Sequence, residues 1–526
     1  MSSCASISSV SLPGFHVIDC DTRTIVRAPQ DCRFAALSYV WGTPAAKSVD
    51  DLSLRLPTPA PMLIEDAIKC TQSLRLRYLW IDRYCIDQTA TKTKHLLIQN
   101  MDKIYQGATV TIVNAANEGA DHGLPGISCL ARTPQDFLYI KGRNLIRVPA
   151  SRDAIRNSKW SMRGWTYQEG LLSRRRLVFT NQQIYFQCLE MHTCESITTL
   201  FSSRPRPVWV DNPLSDDLQA FPWGVATQPG DITERISTYV QRELSYESDS
   251  LNAFMGILNQ FWKSDEPLYH LWGLPFHTKT PKTVPLETQL SNALLWTPTH
   301  DNDNNLLRKR QSFPSWSWVA WENLTGIYED DVNLGLHGGN NVSVCILGLH
   351  SNPIKVDDYV RDMELHRNVH QFSPRLTLTG WLTQVWFSLP DRDRPRGQYP
   401  AAGPYMQFRT LDESKRHTIC NSSIFTGLLK PEFDDIKPIV TYPWPVLVFE
   451  KGAGQCTGIV LKDTGNGTFH RFGVLQMGHW GTISAIPRDR AFYFTWSHRK
   501  QTNNVLTLKT REERRIHCEW GTIVLE

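Results

Sequence analysis

The chain has 526 residues, 41% of them hydrophobic and 21% charged, with 56 Lys plus Arg against 52 Asp plus Glu. That length exceeds one ordinary core and favours two or three domains. A net charge of +4 without a long basic run gives no electrostatic footprint for nucleic acid or an anionic membrane, and no segment approaches the roughly eighteen consecutive apolar residues of a membrane span.

The N-terminus, Met1-Ser2-Ser3-Cys4-Ala5-Ser6, lacks the charged start and apolar core of a signal peptide. Twelve cysteines follow no repeated spacing, the pattern of reduced thiols, so a cytoplasmic protein is expected. Phe34 to Val40 reads as a short buried strand that stops at Trp41-Gly42. Leu63, Ile64, Ala67, Ile68, Thr71 and Leu74 then recur at helical spacing. Tyr78 to Ile81 reads as a second strand, His95 to Gly107 as a helix with Leu97, Met101, Ile104 and Tyr105 on one stripe, and Ala108 to Val113 as a third strand. Strands alternating with helices predict an α/β domain with a parallel sheet and crossover helices. Residues 120–160 read as loop-rich, with a candidate strand at 137–148. A short helix opens at Trp165, followed by strands at Arg176–Thr180 and Gln183–Cys188. Residues 202–231 have a linker composition, Ile232 to Trp262 a helical one, and from Pro314 onward short aromatic and β-branched runs predict a mixed, β-rich region. The expected organisation is an α/β domain over 1–200, a linker and helical region over 201–310, and the β-rich region over 311–526.

Ligands of open parallel sheets bind at the carboxyl ends of the strands. Ser38, Tyr39 and Trp41 would end the first strand, and Asp82 and Arg83 the second, on one edge of the sheet. The alternative is that Asp82 caps the following turn and pairs with Arg83. Glu169 stands four residues after Trp165, on the same helical face. A carboxylate beside a large aromatic is partly desolvated and becomes a candidate acid, base or charge stabiliser. The alternative is an exposed first-turn glutamate that complements the helix dipole. Cys188, His192 and Cys194 lack zinc-site spacing, so no metal is expected. No G-x-S-x-G, P-loop or G-x-G-x-x-G string occurs.

Three strings together resemble the sequence blocks of the fungal heterokaryon incompatibility (HET) domain family. They are Ala36-Leu37-Ser38-Tyr39-Val40-Trp41-Gly42, the run from Tyr78 to Gln88, and the run from Arg163 to Arg176. Gln99 to Tyr105, Gly123-Leu124-Pro125-Gly126, Asp249 to Leu258, Pro314-Ser315-Trp316-Ser317-Trp318, Leu376 to Trp381 and Gly458 to Val474 continue the likeness. Tyr84 and Tyr167 depart from it, standing where smaller or aliphatic residues are common. The resemblance implies a role in self/non-self recognition and programmed cell death, a partner protein or allelic trigger, and self-association. It also implies a TIR-like parallel sheet, because Trp165 to Glu169 has the W-x-x-x-E spacing in which TIR domains carry a catalytic glutamate. On that likeness Glu169 is the catalytic residue. Ser38, Tyr39, Trp41, Asp82, Arg83, Arg163 and Trp165 are its substrate-binding neighbours, and NAD enters as substrate rather than as cofactor. Two other functions fit the same residues: an enzyme or accessory factor of specialised metabolism acting on a small molecule, and a non-catalytic interaction module.

Overall fold

A computed structural model describes residues 10–42, 55–87, 89–147, 150–197, 201–202, 219–277, 284–299, 307–328, 341–361, 372–388, 405–409, 416–419, 422–424, 444–451, 455–477, 498–502, 505–509 and 515–526. They fall into two compact units, one of residues 1–227 with 242–260 and one of 228–241 with 261–526.

The first unit begins with a hairpin, β1 (His16–Asp19) and β2 (Thr24–Arg27), followed by β3 (Phe34–Ser38), helix α1 (Met62–Ser73) and β4 (Tyr78–Trp80). Short helices α2 (Asp82–Cys85), α3 (Thr91–Gln99) and α4 (Met101–Gly107) lead to β5 (Val110–Asn114). The hairpin β6 (Phe137–Ile140) and β7 (Arg143–Ile146) precedes α5 (Ser151–Arg156), α6 (Lys159–Met162), α7 (Gly164–Leu172) and β8 (Arg175–Phe179). Strands β9 (Ile184–Cys188), β10 (Met191–Cys194) and β11 (Phe201–Ser202) complete the sheet.

At its centre β4, β3, β5 and β8 lie side by side and parallel. Every residue of β3 and β5 is buried, which is why Phe34–Leu37 reads as a continuous apolar run and β5 as a β-branched one rather than as an alternating pattern. The chain leaves β3 for β4 on one side and then returns to β5 on the other, so the strand order reverses beside β3. That is where doubly wound sheets open a crevice at their carboxyl ends. The parallel sheet is thus present as the core of a larger mixed one. Its flanks, β1–β2 next to β4 and β9–β11 next to β8, are antiparallel. Between β8 and β9 the Thr180–Gln183 turn closes on itself through Thr180 N–H to Gln183 O (3.1 Å), too short a link for a crossover.

Two predicted helices are each divided. His95–Gly107 breaks at Asn100, whose φ of −116° leaves the helical range and whose side-chain Nδ2 donates to the Leu96 carbonyl (2.7 Å). Ile232–Trp262 is two helices, α8 (Asp231–Val240) and α9 (Asp249–Trp262). Between them the Glu243 main chain is committed elsewhere. Its N–H donates to Met162 O (2.6 Å) and its carbonyl accepts from Gly164 N–H (2.8 Å), so no helix can run through it. A Cβ on Gly164 would meet Leu244 Cδ2 at 2.5 Å, which explains glycine at this close approach. Within the loop-rich stretch, Asp66 of α1 is fully buried and accepts Leu124 N–H (2.9 Å) and the Ser128 hydroxyl, pinning the Gly123–Gly126 turn. Of the 202–231 linker, residues 203–218 lie outside the described residues.

The second unit is β-rich. Its main sheet is mostly antiparallel and includes the long strand Phe372–Ser388, with Trp444–Lys451 and Arg515–Leu525 pairing to it and Gln455–Asp463 and Phe469–Met477 beyond. The Pro314–Trp318 string anchors this unit. Trp316 donates to Pro374 O (3.0 Å), Trp318 to Gly273 O (2.8 Å), and Trp296 to Trp316 O (2.8 Å). Arg471, fully buried, lies over the Trp296 ring (4.3 Å) and donates to Leu294 O (3.0 Å). Among the described residues no helix is long and apolar enough to cross a membrane.

Candidate functional site

The register of the parallel strands sets the first part of the site. Ala36 of β3 pairs with Trp80 of β4, so Ser38 and Asp82, each two residues further on, come level at the carboxyl ends of neighbouring strands. Strands in a sheet lie about 4.8 Å apart, so these two side chains share one edge, as the sequence predicts.

Glu169 is the sixth residue of α7 and only 5% exposed, so it is not a first-turn surface glutamate. Ser38 Oγ donates to Glu169 Oε2 (2.6 Å), and Trp160 Nε1 donates to Ser38 Oγ (2.7 Å). The Tyr105 hydroxyl of α4 donates to Leu37 O (3.4 Å) and lies near enough to the Glu169 carboxyl to favour its ionised form. Burial, followed by the charge of Asp82, pushes the Glu169 pKa up to about 7, against the opposing effects of the Ser38 and Tyr105 hydroxyls and the Arg163 charge. Desolvation therefore wins over three favourable partners, and the group titrates near neutrality.

Asp82 opens α2 and accepts the Trp41 indole N–H at both oxygens (3.1 and 3.0 Å) and the Arg83 main-chain N–H (2.7 Å). Enclosure raises its pKa to about 6, despite these donors and the charges of Arg163 and Arg83. Its side chain is thus more than a turn cap. It binds an indole from the next strand end, while the Arg83 guanidinium lies 5.9 Å from the centre of that same Trp41 ring. Trp41 is 38% exposed, and Tyr39 is buried beside Asp82, Tyr84 and Arg83. The charge of Asp82 in turn disfavours ionisation of Glu169.

Arg163 caps α7, and its charge favours the ionised form of both carboxyls. Trp165 has a different place from the one its spacing predicts. Its indole N–H reaches Asp249 Oδ2 of α9 (3.1 Å), and the indole linked to Glu169, through Ser38, is Trp160. Helix α9 holds α7 at two further points: Gln168 Oε1 accepts Gly256 N–H (3.2 Å), and Tyr167 stacks on Phe254 with centroids 6.5 Å apart. Cys188, His192 and Cys194 lie on the antiparallel pair β9–β10, where the His192 ring packs against Tyr185 and Trp223.

Of the eight residues singled out from sequence, Ser38 and Glu169 are joined directly, Trp41 and Asp82 directly, and Tyr39, Arg83 and Arg163 by charge or proximity to Asp82. Trp160, Tyr105 and Asp249 escaped that reading. Trp160 lies three residues before the Arg163–Arg176 string and nine before Glu169, outside any motif that would mark it.

Residues 34–169 match the profile of the family described as Heterokaryon incompatibility protein (HET). This span holds Ser38, Asp82, Trp160 and Glu169, so the candidate site lies within the part of the chain that is similar to a HET domain. No curated protein and no solved structure matches it.

Proposed function

We propose that this HET domain cleaves the nicotinamide–ribose bond of NAD, and that the cleavage serves fungal self/non-self recognition and cell death. The observation that carries the reading is Glu169: a nearly buried carboxyl, held by Ser38 at the carboxyl edge of a parallel sheet, with Asp82 as its charged neighbour. Its W-x-x-x-E spacing from Trp165 and the reversal of strand order beside β3 support a TIR-like site.

The chemistry asks little of such a site. When the C1′–N bond breaks, its electron pair neutralises the cationic nicotinamide ring, so the leaving group needs no proton. The ribosyl cation left behind needs a negative charge nearby, which an ionised Glu169 supplies. Water then adds to C1′ and gives up one proton to a carboxylate. Trp41 offers a partly exposed face for stacking, and Arg83 and Arg163 offer charges for the pyrophosphate. With Glu169 titrating near 7, turnover should rise with pH through neutrality.

The test is nicotinamide release from NAD by purified protein, across protein concentrations that include self-associating conditions, compared with Glu169→Ala. Absence of release in every condition refutes the reading. The burial of Ser38 and Glu169 supports a second reading, in which Ser38, Trp160 and Glu169 form a structural clip and the domain acts by binding. A clip predicts that Glu169→Gln alters melting while NAD stays intact with wild type and variant alike.

A further inference from the structure

Ser38 Oγ sits between two groups of unequal chemistry. An indole N–H can only donate, whereas a serine hydroxyl has one proton and two lone pairs. Trp160 Nε1 at 2.7 Å must therefore occupy a lone pair of Ser38 Oγ. The single hydroxyl proton is then free for Glu169 Oε2 at 2.6 Å. Among the described residues these are the only hydrogen bonds that Ser38 Oγ makes. All three residues are buried, so water does not compete for either bond.

Trp160 is itself fixed. Its carbonyl accepts the Thr166 hydroxyl, and its ring meets Phe221 edge-on at 6.2 Å. A Cβ on Gly170 would come within 2.7 Å of its six-membered ring, so the indole lies directly on the helix that carries Glu169.

Resting on the role given to Glu169 above, we propose that Trp160 is a positioning residue: by donating to Ser38 Oγ it directs the one Ser38 hydroxyl proton onto Glu169 Oε2, and so holds that carboxylate as an acceptor in a single orientation. The Ser38 hydroxyl bonds an ionised carboxylate oxygen more strongly than a neutral carboxyl oxygen, so this bond favours the ionised form of Glu169. The relay thus opposes burial and keeps the carboxylate available. The other groups that bear on Glu169 are Tyr105 from α4, Asp82 from α2 and Arg163 at the start of α7. None of them contacts Trp160 through a hydrogen bond among the described residues, so the Trp160 contribution is separable.

A tryptophan satisfied only as part of the core would affect stability and leave the Glu169 titration where it is. Infrared difference spectra of the full chain after pH steps read that titration directly, with the Glu169 carboxyl band assigned by its loss in Glu169→Gln. Ser38→Ala should raise the midpoint by about one pH unit, the effect of removing a hydrogen bond to a charged acceptor. Trp160→Phe, which keeps a ring and loses the N–H, should raise it by roughly half a unit. The double variant should match Ser38→Ala alone, because Trp160 acts through Ser38. Ser38→Thr should restore the wild-type midpoint. An unchanged midpoint in folded Trp160→Phe, or additive shifts in the double variant, would overturn the proposal. Should Trp160→Phe fail to fold, an unchanged midpoint in Ser38→Ala overturns it equally. The titration needs no NAD, so a protein that releases no nicotinamide refutes the cleavage reading without touching this result.

Discussion

Tryptophans are used differently in the two units. In the first, Trp41 donates to Asp82, Trp160 to Ser38 and Trp165 to Asp249, all of them side chains. In the second, Trp272, Trp296, Trp316, Trp318 and Trp321 donate to main-chain carbonyls of Ser373, Trp316, Pro374, Gly273 and Ser315. An indole on a carbonyl satisfies a polar group that burial has stranded, and fixes the fold. An indole on a carboxylate instead fixes a group that can titrate, and one on the Ser38 hydroxyl fixes the donor to such a group. Of these hydrogen-bonded indoles, those of the second unit anchor a core and those of the first orient polar side chains, while Trp80 is a core residue of the first unit, packed edge-on against Tyr105.

The largest expected effect is on stability. Trp316→Ala should cost about 3–5 kcal/mol, because it removes a fully buried ring and leaves the Pro374 carbonyl without its donor; chemical denaturation measures this. A next-smaller effect concerns pH. The Glu169 pKa is raised on folding, so the folded state binds its proton more tightly than the unfolded chain does. The stabilisation from that proton is complete below the unfolded value, near 4.5, and is lost as pH rises through about 7. Glu169→Gln should accordingly gain stability relative to wild type, by roughly 2 kcal/mol at pH 8 and little at pH 4.5, in melts at both pH values. Equal gains at the two pH values would show that Glu169 does not titrate as described. Smallest is Trp41→Phe. At this partly exposed position it should change stability by less than about 1 kcal/mol, yet raise the Asp82 titration midpoint, because an ionised Asp82 loses its indole donor.

Much of the first unit is legible in the sequence because the apolar run Phe34–Leu37 and the β-branched run Val110–Val113 fit strands buried on both faces, and Leu63–Ile68 has a clear helical stripe. What is illegible depends on partners distant in sequence. The break at residues 241–248 exists because Glu243 bonds Met162 and Gly164, about eighty residues earlier, and no local pattern reports that. The site divides the same way. Strand ends reveal Ser38 and Asp82 as neighbours, since parallel register follows from the alternation of strands and helices. Spacing places Trp165 and Glu169 on one helical face but cannot say what covers that face. The structure answers with Asp249 for Trp165, and with Ser38 and Trp160 for Glu169.

Nicotinamide release from NAD, assayed in parallel for wild type, Glu169→Gln and Trp316→Phe, tests the central claim most directly. The predicted result is release by wild type, a loss of about 100-fold or more in Glu169→Gln, and an undiminished rate per folded molecule in Trp316→Phe. Release by Glu169→Gln at the wild-type rate, or none by wild type in any condition, would contradict it.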